Sequence, residues 1–127
     1  MSKKTVEFEK KFSKFIKSNY CLMVNSGSSA NLLAFFALIN PLKKNKLKLG
    51  DECLIPALCW STSLWPIVQS GLVPKFIDVD LETFSPNLDI IKKNVTKKTR
   101  AIMLINVLGN CSEIEKIKQF AKKKKNL

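Results

Sequence analysis

Short apolar runs separated by helix-period segments most tightly limit what this chain can fold into. Tyr20–Val24, Cys53–Ile55 and Ala101–Val107 are nearly unbroken apolar runs of strand length, and Val73–Val79 has strand character. Between them the period changes. Val6, Phe8, Phe12, Phe15 and Ile16 recur at roughly helical spacing among lysines and glutamates, predicting a helix over Thr5–Lys17. Ala30–Ile39 is rich in helix formers and is stopped by Asn40-Pro41. A third helix is expected over Trp60–Ser70, closed by Gly71, with Pro66 either in its first turn or kinking it. Leu88–Asn94 and Ser112–Lys124 complete the helices, the last with Ile114, Ile117 and Phe120 on one face. Strands with no polar alternation must be buried on both faces. The expected fold class is therefore α/β, a mostly parallel sheet flanked by helices.

At 127 residues the chain suffices for one small domain, and no Pro/Ser/Gly linker divides it. Its formal net charge is +12, which admits a polyanion-binding reading. Against that, Arg100 is the only arginine, and the lysines are scattered over loops and helix faces. Base and phosphate recognition favours the planar guanidinium fork, so solvated lysine-rich faces are the better reading and nucleic acid is not an expected partner. Cys21, Cys53, Cys59 and Cys111 form no CxxC pair, and the chain has no histidine to complete a zinc set. Reduced thiols in a cytoplasmic protein follow. Charged residues follow the basic start Met1-Ser2-Lys3-Lys4 where a signal peptide would have its apolar core, and the apolar run Leu32–Ile39 is too short to span a bilayer, so no membrane partner is expected.

Four segments have residues suited to chemistry, and each follows a predicted strand. Val24-Asn25-Ser26-Gly27-Ser28-Ser29-Ala30-Asn31 runs from an apolar strand through a small-residue turn into a helix. A helix start leaves N–H groups unpaired and favours negative charge, and Gly27 allows close backbone approach. Such a turn can hold a phosphate, or it can be a serine-capped helix with no ligand. It is neither a P-loop nor GxGxxG. Pro56-Ala57-Leu58-Cys59-Trp60-Ser61-Thr62 brings an indole to the same sheet edge, where it can stack on a planar ring or simply pack. Trp65 reads as core. Asp78 and Asp80 form a carboxylate pair, better explained as turn formers than as metal or proton-transfer groups. Asn106-Val107-Leu108-Gly109-Asn110 can meet a substrate or fix a turn.

Taken in order, these segments resemble the DegT/DnrJ/EryC1/StrS family of pyridoxal-phosphate (PLP) enzymes acting on nucleotide-linked keto sugars. The resemblance rests on Glu7-Phe8-Glu9-Lys10-Lys11-Phe12, the Val24–Asn31 turn, Gly50-Asp51-Glu52, Pro56–Thr62, Phe76-Ile77-Asp78-Val79-Asp80 and Leu108-Gly109-Asn110. Cys59–Thr62 with Leu108–Asn110 looks most like the deoxysugar 3-dehydratase branch of surface-polysaccharide (O-antigen and lipopolysaccharide) synthesis. The resemblance implies a partial fold-type-I large domain. It implies PLP as cofactor, with the phosphate at Gly27, Ser28 and Ser29 and the ring against Trp60. Asn106 stands where many relatives carry a histidine near the substrate, which makes it a candidate substrate contact.

The resemblance also implies absences. The carboxylate that pairs with the pyridine nitrogen, and the Schiff-base lysine or its histidine replacement, match no position among these residues, so no catalytic residue is assigned and no metal is expected. Residues 1–127 are expected to be an incomplete cofactor-binding domain, truncated at both ends, with Lys122–Leu127 leading into a further strand. The expected function is a fragment of a sugar aminotransferase or dehydratase, inactive alone and poorly soluble or loosely folded. The intact relative is expected to bind a nucleotide sugar and to be a homodimer. The alternative is a small lysine-rich polyanion-binding protein.

Overall fold

A computed structural model describes residues 2–124 and divides the chain into two compact units, residues 1–30 and residues 31–127. The expectation that Lys125-Asn126-Leu127 leads into another strand lies outside the described residues.

In the first unit, helix α1 spans Lys3–Phe15. Ser2 caps it, its Oγ accepting the Thr5 N–H at 3.2 Å. The Phe8 and Phe12 rings stack with centroids 5.5 Å apart, yet no α1 residue is buried. The expected strand at Tyr20–Val24 does not form. No described strand pairs with this run, and Tyr20, Leu22 and Met23 are exposed. The Met23 N–H instead donates to Glu9 Oε1 at 2.8 Å. An apolar run signals burial, but only a neighbouring strand makes it a strand. Helix α2, Gly27–Ile39, starts three residues before its predicted bound.

The second unit is built on three parallel strands, β1 (Glu52–Pro56), β2 (Val73–Ile77) and β3 (Thr99–Ile102), in the order β2-β1-β3. The central strand β1 reads Glu-Cys-Leu-Ile-Pro, and its last four residues are buried. Because side chains alternate across a strand, Cys53 and Ile55 face one way and Leu54 the other. Cys53 and Ile55 pack with Phe35, Leu38 and Ile39 of α2, and with Leu64 and Ile67 of helix α3 (Ser61–Gln69). Leu54 packs with Ile91 of helix α4 (Leu88–Asn94), and with Ile117 and Phe120 of helix α5 (Ile114–Lys123). Both faces of the sheet are thus covered, and the α/β class read from the apolar strands holds. Burial pushes the Cys53 thiol up to about 12.

Two boundaries have local chemical causes. Strand β3, expected to run to Val107, stops at Ile102. The Met103 N–H still donates to the Leu54 carbonyl at 2.8 Å. The next rung of a parallel ladder would need an N–H at position 56, and Pro56 has none. Helix α3 ends in a Schellman arrangement: the Gly71 N–H reaches the Val68 carbonyl, and the Leu72 N–H reaches the Ile67 carbonyl. Gly71 has φ +75°, which glycine adopts at little cost. Pro66 lies in the interior of α3, not in its first turn. Trp65, expected in the core, is 55% exposed.

Candidate functional site

The turn that opens α2 is built around serine. The Ser29 N–H donates to Ser26 Oγ at 3.1 Å, and the Ser26 hydroxyl donates to Ser29 Oγ at 3.2 Å. The Ser26 carbonyl accepts the Ala30 N–H at 3.1 Å. Ser26 is therefore the cap, a role that the sequence alone does not single out among three neighbouring serines, although a serine three residues before Ser29 is the ordinary capping signal. Gly27 and Ser28 make no backbone N–H bond to any described residue, and the Ser28 hydroxyl is likewise uncommitted. A Cβ built on Gly27 meets nothing within 4 Å, so the approach to these groups is open. The turn presents two backbone donors and a hydroxyl at the positive end of a helix. Of the three predicted phosphate residues, Gly27 and Ser28 are free to donate, while Ser29 has its N–H engaged in the cap.

In the second unit, parallel strands put all the strand-following loops at one edge. Helix α3, after β1, lies on the Ile55 face, and helix α5, after β3, lies on the Leu54 face. The adjacent strands β1 and β3 thus send their connections to opposite sides. This is a topological switch point, the position at which open α/β sheets usually bind ligands. Trp60 and Asn106 sit on these two loops. Cys59 is packed against the core, and burial raises its thiol pKa. Trp60 caps α3 through its backbone, its carbonyl accepting the Ser63 N–H at 2.9 Å. Its indole is 75% exposed, so the core does not use it. Asn106 is exposed and precedes a 3-10 turn, Val107–Gly109. Leu108 in that turn has φ +53° and is also exposed. The Ser85 hydroxyl donates to the Ile105 carbonyl at 3.3 Å and ties the loop after β2 to the approach to Asn106.

The two aspartates separate in role. Asp80 Oδ1 accepts the Glu82 N–H at 3.0 Å, the Thr83 N–H at 3.1 Å and the Thr83 hydroxyl at 3.3 Å. It closes the turn into α4, as its turn-forming reading expects. Asp78 is exposed. Among the described residues no three metal-ligating side chains cluster.

These features define an α/β protein with its uncommitted groups at strand ends and helix starts: anion donors in the turn that opens α2, and a flat aromatic face on a switch-point loop. The family model described as the DegT/DnrJ/EryC1/StrS aminotransferase family matches residues 1–126, and the chain belongs to that family. It is 41% identical over 124 residues to GDP-4-keto-6-deoxy-D-mannose 3-dehydratase of Yersinia pseudotuberculosis, covering 98% of this chain and 31% of that protein. It is 46% identical over 116 residues to dTDP-4-dehydro-2,6-dideoxy-D-glucose 3-dehydratase of Saccharopolyspora spinosa, covering 91% of this chain and 25% of the relative. The solved structure of E. coli GDP-4-keto-6-deoxy-D-mannose-3-dehydratase with bound hydrated PLP superposes with a TM-score of 0.89 at 39% identity, over 96% of this chain and 31% of the other. The chain thus spans less than a third of the length of these relatives.

Proposed function

We propose that this chain forms the cofactor-holding part of a PLP-dependent enzyme acting on a nucleotide-linked 4-keto-deoxysugar, by transamination or C3 dehydration, in surface-polysaccharide synthesis. The observation that carries the reading is the exposed Trp60 indole on the switch-point loop of a chain in this family. Trp60 is 75% exposed beside Cys59, which packs against the core, so the loop is anchored while the indole is free to meet a ligand. The residues fit the cofactor's chemistry. A phosphate dianion needs N–H and O–H donors and no competing carboxylate. The Gly27 and Ser28 N–H groups and the Ser28 hydroxyl meet that need, with Ser29 adding its hydroxyl. A pyridine ring needs a flat apolar face, and Trp60 offers one. When bound, PLP acts as an electron sink. What this chain's residues do is orient the ring, hydrogen-bond the phosphate and leave Asn106 exposed for a sugar to contact. The relatives named as 3-dehydratases favour dehydration over transamination. We assign the chain to the cytoplasm and its full-length form to a homodimer.

A titration of the purified chain with PLP tests this reading through tryptophan fluorescence. Quenching is expected in the wild type and should be largely lost in Trp60→Phe. Ser28→Ala should weaken binding about tenfold, the loss of one hydrogen bond to a charged group. Pyridoxal without its phosphate should bind more weakly than PLP. The Schiff-base lysine that the family resemblance calls for has no counterpart among the 127 residues, so no sugar turnover is expected from this polypeptide. Quenching that survives Trp60→Phe unchanged, or turnover by the 127-residue chain, would overturn the reading.

A further inference from the structure

We infer that Asn31 is a positioning residue for Trp60, supplying helix α3 with the hydrogen bond that Pro66 removes. In an α-helix each N–H bonds to the carbonyl four residues earlier. Position 66 is a proline in the interior of α3, so the Thr62 carbonyl has no helical donor. The Asn31 side-chain amide Nδ2 reaches that carbonyl at 3.4 Å in a part-buried setting. Asn31 is well placed for this. It precedes Phe35 by one turn and Leu38 and Ile39 by two, and those residues pack on the cluster that holds Leu64 and Ile67 of α3. The stripe of α2 that meets α3 therefore begins with a polar donor that reaches the Thr62 carbonyl, which Pro66 leaves without its helical N–H.

Thr62 lies two residues beyond Trp60 in the first turn of α3. The indole is exposed and has no packing of its own to hold it. Its direction depends on the backbone at the α3 start, where Trp60 is extended (φ −80°, ψ 145°) and makes no side-chain cap. Securing the Thr62 carbonyl fixes that start. The proposal rests on the reading that Trp60 takes the cofactor ring, but its central contact does not involve the cofactor.

A double-mutant cycle in the 127-residue chain tests it, with Trp65→Phe as background so that Trp60 alone fluoresces. Asn31→Ala is expected to lower the steady-state anisotropy of Trp60 and to weaken PLP quenching by about three- to tenfold. Pro66→Ala restores an N–H to the Thr62 carbonyl, so adding Asn31→Ala to Pro66→Ala should change both readouts less than about twofold. If Asn31→Ala fails to fold, Asn31→Asp removes the donor at constant size and takes its place. Equal effects of the Asn31 change with and without Pro66→Ala, or no effect on Trp60 anisotropy, would overturn the proposal. Absence of PLP quenching in the parent chain would instead sink the cofactor reading, and the anisotropy cycle would still decide the role of Asn31.

Discussion

The two ends of the sheet are built on opposite principles. At the amino edge, polar groups are bonded to one another. Glu52 Oε2 accepts the Thr96 hydroxyl at 2.6 Å and the Thr99 hydroxyl at 3.2 Å, joining the start of β1 to the turn before β3. The Glu52 N–H reaches the Lys98 carbonyl, the Gly50 N–H reaches the Gly71 carbonyl, and the Val73 N–H reaches the Asp51 carbonyl, each at 2.9 Å. Asp51 Oδ2 accepts the Lys48 N–H at 2.8 Å. At the carboxyl edge, Trp60, Asp78 and Asn106 stand exposed. Saturated bonding at one end makes a rigid base, and uncommitted groups at the other remain available to a ligand. Changes at the amino edge should therefore cost stability and spare binding, while changes at the carboxyl edge should do the reverse.

The largest effect is expected from Gly71→Ala. An L-residue at φ +75° costs about 1–2 kcal/mol, and the added methyl would lie 2.2 Å from Leu49 Cδ2, an exposed side chain that can move aside. Denaturant melts should show the loss, and unchanged stability would break the view of this edge as a rigid base. A smaller loss is expected from Glu52→Gln, and it should depend on pH. The Thr96 hydroxyl, followed by Thr99, Lys75 and Lys98, holds the Glu52 carboxyl below its ordinary value. A lowered folded pKa contributes stability that is full above the unfolded value, about 4.3, and fades as pH falls through the folded one. Melts of wild type and Glu52→Gln should differ at about pH 7 and converge below about pH 4. Smallest of all, Asn106→Ala should move stability by less than about 0.5 kcal/mol, as for an exposed side chain without partners. A larger drop would mean that the carboxyl edge is also structural.

Much of this contrast is legible in the sequence, for physical reasons. Leu88–Asn94 matches its predicted bounds because Asn87 is a strong cap, its Oδ1 accepting the Ile90 N–H at 2.9 Å. The apolar run of β1 announces burial on both faces, and parallel strands alone place the loops after β1 and β3 at one edge. What fails depends on partners distant in sequence. Pro56 shortens β3 from across the sheet, and no local pattern at Met103 reveals it. Tyr20–Val24 has strand composition but no described neighbour. Trp65 reads as core from its hydrophobicity alone, whereas exposure depends on which elements cover its helix. Of the residues proposed to hold the cofactor, the types at Gly27, Ser28 and Trp60 are visible in the sequence. The capping role of Ser26 and the reach of Asn31 to Thr62 belong to side-chain geometry that spacing does not encode.

The buried sulfur at the heart of β1 has a use of its own. Burial pushes the Cys53 thiol up to about 12, so far less of it is thiolate at pH 7 than of an ordinary cysteine. It is also fully enclosed, whereas Cys111 is exposed and Cys21 and Cys59 are intermediate. An alkylating reagent thus meets Cys111 at once and Cys53 only when the sheet comes apart. The rate at which that last sulfur is capped becomes a built-in clock for opening of the sheet, readable from the mass of the adduct with no residue engineered into the chain.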